Sequence, residues 1–365
     1  MRMKTHHGLR TALLCVALAV AGCQTVPKHE APAGAVLASL PIRTSDTLRI
    51  HYLDVGSGMC HVIQCPGADG TVIVDDCGST DTTHAMGKDE ARSFIQDVIK
   101  GHPLKVVLTH KDADHVNWIP YVLDTLPSGT SLEQVWAAGD YATYPPDVKT
   151  WIRDANKDWG ANVRIDGFAS SPPLRSGWDN DLQPVPELSC GTAESYVLTV
   201  NSGSGSNASS LMLRLAYGGR SAILPGDATG AAQNEAIENT TGHADMLVTD
   251  LLEMSHHGAA SAGSNSEAWA KATRPKYLLA SAGVRYGHPR CESVDHYLDA
   301  ENARVLAAGK HWLDCGKTQG SERREIENAV YTTGTQGTLV GDIVYSGSGV
   351  ASVALYCGPD GDPCP

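Results

Sequence analysis

The sequence predicts a layered α/β protein, and three observations carry that expectation. Apolar strand segments follow one another closely over residues 48–55, 61–64 and 71–74, separated by glycine-containing turns, as in a β-meander. Helical spacing of Ala91, Phe94, Ile95 and Val98 within residues 89–100 is stopped by Gly101-His102-Pro103, and an apolar strand over 105–108 follows at once. Strand, helix and strand with such short punctuation imply helices packed on a sheet. The composition agrees, since 37 glycines against 2 phenylalanines favour a turn-rich β-containing fold over a helical bundle.

Further along, residues 128–190 are broken by Pro145, Pro146, Pro172, Pro173, Pro184 and Pro186 and read as a loop-rich insertion over the sheet. Its tryptophans, Trp136, Trp151, Trp159 and Trp178, are expected to supply buried area rather than to line a cleft. Strands resume over 195–200, 211–217 and 221–224, with a Gly/Ser turn at 202–206, and another is expected over 246–254. The folded domain is placed at residues 47–350, with 351–365 as a C-terminal tail.

The N-terminus reads as an address. Arg2, Lys4 and Arg10 precede an apolar run over 12–21, the layout of a secretory signal, and the run is too short to span a bilayer comfortably. It ends Val20-Ala21-Gly22-Cys23, which resembles the lipobox of bacterial lipoproteins. That resemblance implies a signal peptide over 1–22, a lipid anchor on Cys23 that ties the protein to a membrane, and, with Gln24 next, an outer-membrane destination facing the periplasm. Residues 23–46, rich in Ala and Pro, read as a flexible tether.

Charge and cysteines narrow the class. With 41 acidic against 28 basic residues the formal net charge is −13, which excludes coating of duplex nucleic acid by global charge. Cys60, Cys65, Cys77, Cys190, Cys291, Cys315, Cys357 and Cys364 remain after Cys15 and Cys23 are set aside, an even number that suits disulfides in an oxidising compartment. Cys357 and Cys364 are close enough in sequence to staple the tail. The absence of a C-x-x-C pair argues against a zinc ribbon or a thioredoxin-type site.

The segment directly after the 105–108 strand carries the chemistry: Thr109-His110-Lys111-Asp112-Ala113-Asp114-His115. A strand end followed by a tight turn can fold these imidazoles and carboxylates onto adjacent metal ions. A solvated polar loop is the competing reading, and it would leave two His and two Asp beside a buried strand without partners.

This motif resembles the metallo-β-lactamase signature His-x-His-x-Asp-His, with Asp112 in place of the second histidine. Together with Leu53-Asp54-Val55-Gly56-Ser57-Gly58 upstream and His256-His257-Gly258 downstream, it resembles the extracellular hydrolase domain of ComEC-type DNA-uptake proteins. Val74-Asp75-Asp76-Cys77-Gly78, Asn207-Ala208-Ser209-Ser210-Leu211, Leu224-Pro225-Gly226-Asp227 and Arg285-Tyr286-Gly287-His288-Pro289 match further family segments in order. The resemblance spans about residues 48–350 and implies a four-layer αββα sandwich. It places His110 and Asp112 on one metal, Asp114 and His115 on a second, Asp227 between them, and either His256 or His257 closing the second site. Asp76 is expected to be a turn or orienting residue rather than a ligand. His288 is expected to bind a substrate oxyanion or donate a proton, with Asp114 the other catalytic candidate, and Asn207, Ser209, Tyr286 and His288 are candidates for substrate contact.

The sequence departs from the family in three places. Met59 stands where the family often has Asp. Asn117-Trp118 replaces a Gly-Gly pair and puts bulk beside the motif, and Asn207 and Ser209 occupy the stretch that holds the third histidine of ordinary lactamases. The cofactor expected is a pair of divalent ions, zinc or manganese, since exchange of an imidazole for Asp112 hardens the donor set. The expected activity is hydrolysis by cation-activated water of a small or short phosphoester, a phosphodiesterase or nuclease-like reaction. A lactamase or lactonase is one alternative, and a metal-stabilised binding lipoprotein without turnover is another.

Overall fold

A computed structural model of the chain describes residues 40–168, 182–301, 303–358 and 360–365. The signal segment, Cys23, Pro172, Pro173 and Trp178 lie outside the described residues, as does most of the 23–46 tether. Among the described residues no helix is long and apolar enough to cross a membrane.

Strands β1 (Thr47–Tyr52), β2 (Gly58–Gln64), β3 (Val72–Ser79), β4 (Pro103–Leu108), β5 (Ser131–Asp140) and β6 (Asn162–Asp166) come first. β7 (Glu194–Thr199), β8 (Met212–Tyr217), β9 (Arg220–Leu224), β10 (Leu251–Glu253) and β11 (Tyr277–Ala280) follow. Then come β12 (Ala307–Gly316), β13 (Ser321–Asn328), β14 (Val330–Thr332), β15 (Leu339–Val344), β16 (Ser352–Cys357) and β17 (Asp362–Pro363). One sheet has the order β17-β16-β15-β1-β2-β3-β4-β5-β6, a second has β14-β11-β10-β9-β8-β7, and β12 pairs with β13 as a separate ribbon.

The helices are α1 (Lys88–Ile99), α2 (Ala113–Val116), α3 (Ile119–Val122), α4 (Pro146–Lys157), α5 (Gly230–Asn239), α6 (Glu267–Thr273), α7 (Cys291–Asp299) and α8 (Thr333–Gln336). Strand periodicity assigns the layers. Ile50, Ile63, Ile73 and Val107 of the first sheet meet Leu213, Leu215, Leu224, Leu251 and Leu279 of the second in one core. The alternate residues Val62, Val74, Val106 and Leu108 pack under Ile95 and Ile99 of α1, Ile119 of α3 and Ile152 of α4. On the far side, Ile223, Leu252 and Leu278 pack under Ala232 of α5, Trp269 of α6 and Val294 of α7. Both faces of both sheets are covered, which is why these strands read as continuous apolar runs. The result is the four-layer αββα arrangement.

Three expectations need correction. Residues 128–190 are not simply an insertion: β5, α4 and β6 extend the first sheet in parallel register. The prolines at 145 and 146 misled because they sit at the start of α4, where a missing N–H costs nothing. Trp136 and Trp151 are accordingly buried in the two cores that flank the sheet. Residues 351–365 are not an appended tail, since β16 pairs with β15 and β17 with β16. The strand expected over 246–254 shrinks to Leu251–Glu253, preceded by a 3-10 turn at Ala244–Met246.

The eight cysteines pair as Cys60–Cys77, Cys65–Cys190, Cys291–Cys315 and Cys357–Cys364. The last is the pairing expected from sequence proximity.

Candidate metal centre

The site is assembled at the ends of strands from both sheets. In β3 the register slips so that Cys77 faces Cys60 while Asp75 faces His61, leaving Asp76 as the extra residue of a bulge at φ 54°. The bulge turns the buried Asp76 carboxylate toward the segment after β4. There it accepts hydrogen bonds from Thr109 N (2.7 Å), Thr109 Oγ1 (2.5 Å) and His115 Nδ1 (2.7 Å). The Thr109 hydroxyl proton is spent on Asp76, so His110 Nδ1, 3.1 Å from Thr109 Oγ1, is the donor in that contact. One carboxylate thus fixes the tautomer of two imidazoles, His115 directly and His110 through Thr109, and leaves both Nε2 lone pairs facing the site.

Close backbone approach makes this possible. A Cβ on Gly78 would lie 2.6 Å from the Ala113 carbonyl oxygen, so only glycine lets β3 run against the ligand turn. Asn117 pins the same strand end by donating to Ser79 O (2.7 Å) and accepting from Ser79 N (3.0 Å). Trp118 is buried and lines a neighbouring cleft of about 870 Å³ with Ser79, Thr80 and Lys88.

From the second sheet, β9 ends at Leu224 and the Pro225-Gly226 turn presents Asp227, which is 3 % exposed. Its oxygens divide between two groups. Oδ1 lies 3.1 Å from His115 Nε2 and 3.6 Å from His257 Nε2. Oδ2 lies 3.7 Å from His110 Nε2 and 3.4 Å from His256 Nε2, and accepts from Asn207 Nδ2 at 3.4 Å. Asp112 Oδ2 is 3.7 Å from His110 Nε2, while its Oδ1 accepts from Ser206 Oγ at 2.5 Å. Asp114 Oδ2 is 3.7 Å from His257 Nε2.

His256 and His257 both have left-handed backbones, φ 53° and 56°, an uncommon conformation for residues with a Cβ and one that clusters at functional sites. His256 N donates to Gly226 O (3.0 Å), and His257 Nδ1 donates to Ser281 O (2.7 Å). The second bond turns the His257 Nε2 lone pair inward, 3.3 Å from His115 Nε2. Two imidazole lone pairs at that separation repel unless a cation or a proton lies between them. Asp114, His115 and His257 form a group able to hold a metal ion. Of the two adjacent histidines, His257 therefore joins that group, while His256 flanks Asp227 and Asn207. Asp76, His110 and His115 are also close enough to share an ion, yet Asp76 already accepts three hydrogen bonds on the Nδ1 side of the rings.

The electrostatics follow from this packing. Burial works to raise Asp227, but His115 and His257 outweigh it and hold the carboxyl well below its usual range. Burial works to lower His115, and Asp227 and Asp76 overcome it and push the ring well above the usual imidazole range, so its Nε2 lone pair holds a proton toward Asp227 that a bound cation would replace. Asp112 is held down by its contact with His110, with burial opposing and Ser206 assisting. His288 is pushed down to about 4 by burial and by His257 and His256, so it is neutral at pH 7.

Not every expected residue joins the cluster. His288 sits at the rim, its ring centroid 6.1 Å from that of His256, and its Nδ1 is buried without a hydrogen-bond partner among the described residues. Tyr286 is 48 % exposed and 6.2 Å from the His288 ring. Ser209, expected to contact substrate, spends its hydroxyl on Ser206 O (2.6 Å) and supports the turn that presents Ser206 and Asn207. Sequence reasoning missed Thr109, Ser206 and Ser281. A threonine between a buried strand and a ligand is a usable signal, whereas the Ser281 contribution is a backbone carbonyl and has none.

No family model matches the chain. It is 23% identical over 271 residues to ComE operon protein 3 of Bacillus subtilis (strain 168), a match that covers 70% of this chain and 31% of that protein. The chain thus spans about a third of the relative's length. Among solved structures, CmlA, a diiron beta-hydroxylase from Streptomyces venezuelae, aligns over 82% of this chain and 54% of its own, with 11% identity and a TM-score of 0.41. A beta-lactamase domain protein from Burkholderia ambifaria aligns over 58% and 69%, with 14% identity and a TM-score of 0.32. The fold is α/β with the four layers that the motif resemblance implies, and the sequence relative agrees with the ComEC-type resemblance of the motifs.

Proposed function

We propose that the protein is a dinuclear metallohydrolase acting outside the cytoplasm on a small or short phosphoester. The observation that carries this reading is the division of Asp227 between two donor groups whose imidazole tautomers are already set. The donor set fits divalent cations: among the described residues His110 Nε2 is buried without a hydrogen-bond partner, and the facing Nε2 atoms of His115 and His257 call for positive charge between them. His110 and Asp112 would hold one ion, Asp114, His115 and His257 the other, with Asp227 shared. Two divalent ions in such a set supply Lewis-acid polarisation of the scissile group and acidify water toward neutrality.

The chain's own residues do the rest. Asp76 and the Ser281 carbonyl hold the rings so that no tautomer change is needed on binding. Ser206 takes up one oxygen of Asp112 and leaves the other facing His110. Asn207, in place of a third histidine, donates toward Asp227 Oδ2, which weakens the case for a lactamase. His288, neutral at pH 7, suits hydrogen bonding to a substrate oxygen better than proton donation.

The mixed imidazole and carboxylate set supports zinc or manganese. The net charge of −13 supports a short substrate over duplex nucleic acid. Four disulfides support an oxidising compartment, with the anchor on Cys23 holding the protein at a membrane. Purified protein loaded with zinc or manganese and offered bis-p-nitrophenyl phosphate, short oligonucleotides, nitrocefin and a simple lactone tests the reading. Turnover of phosphodiesters that is lost in Asp227→Asn supports it. Turnover of nitrocefin or lactone alone replaces it with the lactamase or lactonase alternative, and a loaded protein inert toward all four favours a binding role.

A further inference from the structure

Between the two sheets, in a layer filled mainly by apolar side chains, sits a charged group that the proposed reaction does not use. His61 of β2 lies with its side chain fully buried, Nδ1 3.2 Å from Asp75 Oδ2 and Nε2 3.0 Å from Glu253 Oε1. Asp75 belongs to β3 of the larger sheet and Glu253 to β10 of the smaller one, so the ring spans the sandwich. Carboxylate oxygens accept, so both ring nitrogens donate and the imidazole carries a positive charge. Burial opposes that charge, but Glu253 and Asp75 outweigh it and push the ring up to about 10.

Such a group is an expensive way to hold two sheets together, because apolar residues of the same volume would pack there without desolvating charge. What distinguishes it is where its two ends lead. Asp75 is followed by Asp76, the carboxylate that sets His115 and, through Thr109, His110. Glu253 Oε1 also accepts from Ser281 Oγ at 2.6 Å, and the carbonyl of the same Ser281 accepts from His257 Nδ1 at 2.7 Å. Each sheet contributes one half of the centre, and the tautomer-setting acceptors of those halves, Asp76 in the larger sheet and the Ser281 carbonyl just past β11 of the smaller, are each one step from a carboxylate bound to the same ring.

We propose that His61, bridging Asp75 and Glu253, is a positioning residue that keeps the two halves of the metal centre in register. The inference rests on the metal reading given above. His61→Gln keeps a polar side chain of similar reach but can donate to only one of the two carboxylates, so Asp76 and Ser281 lose their common anchor. Cobalt(II) is the probe, because its visible absorption reports ligand geometry once sites are saturated. The variant is expected to bind cobalt about tenfold more weakly in chelator competition and to show shifted bands at saturation. Glu253→Gln is the second variant, carrying the same expectation in the same direction should His61→Gln fail to fold.

Asp342→Asn, which breaks the buried Arg49–Asp342 pair between β1 and β15, is the control: lower thermal stability with an unchanged cobalt spectrum. A folded His61→Gln or Glu253→Gln with wild-type affinity and an unchanged saturated spectrum overturns the positioning role. A wild-type protein that takes up no cobalt overturns the metal reading itself.

Discussion

Replacing Asp76 with Asn changes one atom of the centre's support and has a calculable consequence. The carboxylate accepts from Thr109 N, Thr109 Oγ1 and His115 Nδ1, all at 2.5 to 2.7 Å and away from solvent. An amide oxygen in place of Oδ1 keeps the bond from the backbone Thr109 N, which cannot turn away, but the amide nitrogen then stands where Oδ2 accepted from Thr109 Oγ1 and His115 Nδ1; the hydroxyl can rotate, whereas the Nδ1 proton of His115 is left donor against donor. The least costly escape is for His115 to carry its proton on Nε2, which removes the lone pair directed at Asp227 and His257. Outer-shell changes of this kind weaken metal binding about 10- to 100-fold, equivalent to about 1.4 to 2.7 kcal/mol. Zinc affinity by chelator competition reads the loss, and long-range proton–nitrogen NMR reads the tautomer. An Asn variant that binds zinc within about twofold of wild type while keeping the Nδ1 proton would refute the orienting role of Asp76.

Other outcomes follow from the same geometry. His257→Gln should cost far more metal affinity than His256→Gln, because only His257 has an inward Nε2 fixed by a backbone acceptor; equal losses in competition titrations would contradict this. Removing Cys65–Cys190, which closes a separation of 125 residues, should cost about 5 kcal/mol in urea unfolding, against about 2 kcal/mol for Cys357–Cys364 with its separation of 7. His51 is buried, and loss of water with help from Arg49 and Arg43 pushes it down to about 4 against the hydrogen bond that its Nε2 donates to Gln64 Oε1. The unfolded chain therefore takes up a proton near pH 6.5 that the folded ring refuses until about pH 4. Stability from this group is complete above pH 6.5 and falls by up to about 3 kcal/mol as pH drops through that window. The wild type should lose this increment relative to His51→Gln, and parallel stability curves for the two would dismiss it.

How much of this was legible in the sequence depends on how local each feature is. His110, Asp112, Asp114 and His115 share one turn after one strand, so strand periodicity and spacing are enough to bring them together. Asp227 and His257 come from strand ends in the other sheet, and only the family likeness tied them to that turn. The choice between His256 and His257 was out of reach, because it depends on two consecutive left-handed residues and on the Ser281 carbonyl, neither of which leaves a compositional trace. Proline deceived at α4 because its effect reverses between a helix start and a helix interior. β16 follows the Ser/Gly-rich stretch 346–349 and runs into the Gly/Pro/Asp-rich end of the chain, so it read as tail although its register with β15 is continuous. The His61 bridge joins residues 14 and 192 positions apart, and no periodicity reports such a contact.

Anomalous scattering from crystals of zinc- or manganese-loaded protein addresses the paired-cation centre most directly. Two ions are predicted on either side of the Asp227 carboxylate, one toward His110 and Asp112, the other toward Asp114, His115 and His257. A fully loaded crystal with no peak at Asp227, or with a lone ion bound through Asp76, would contradict it.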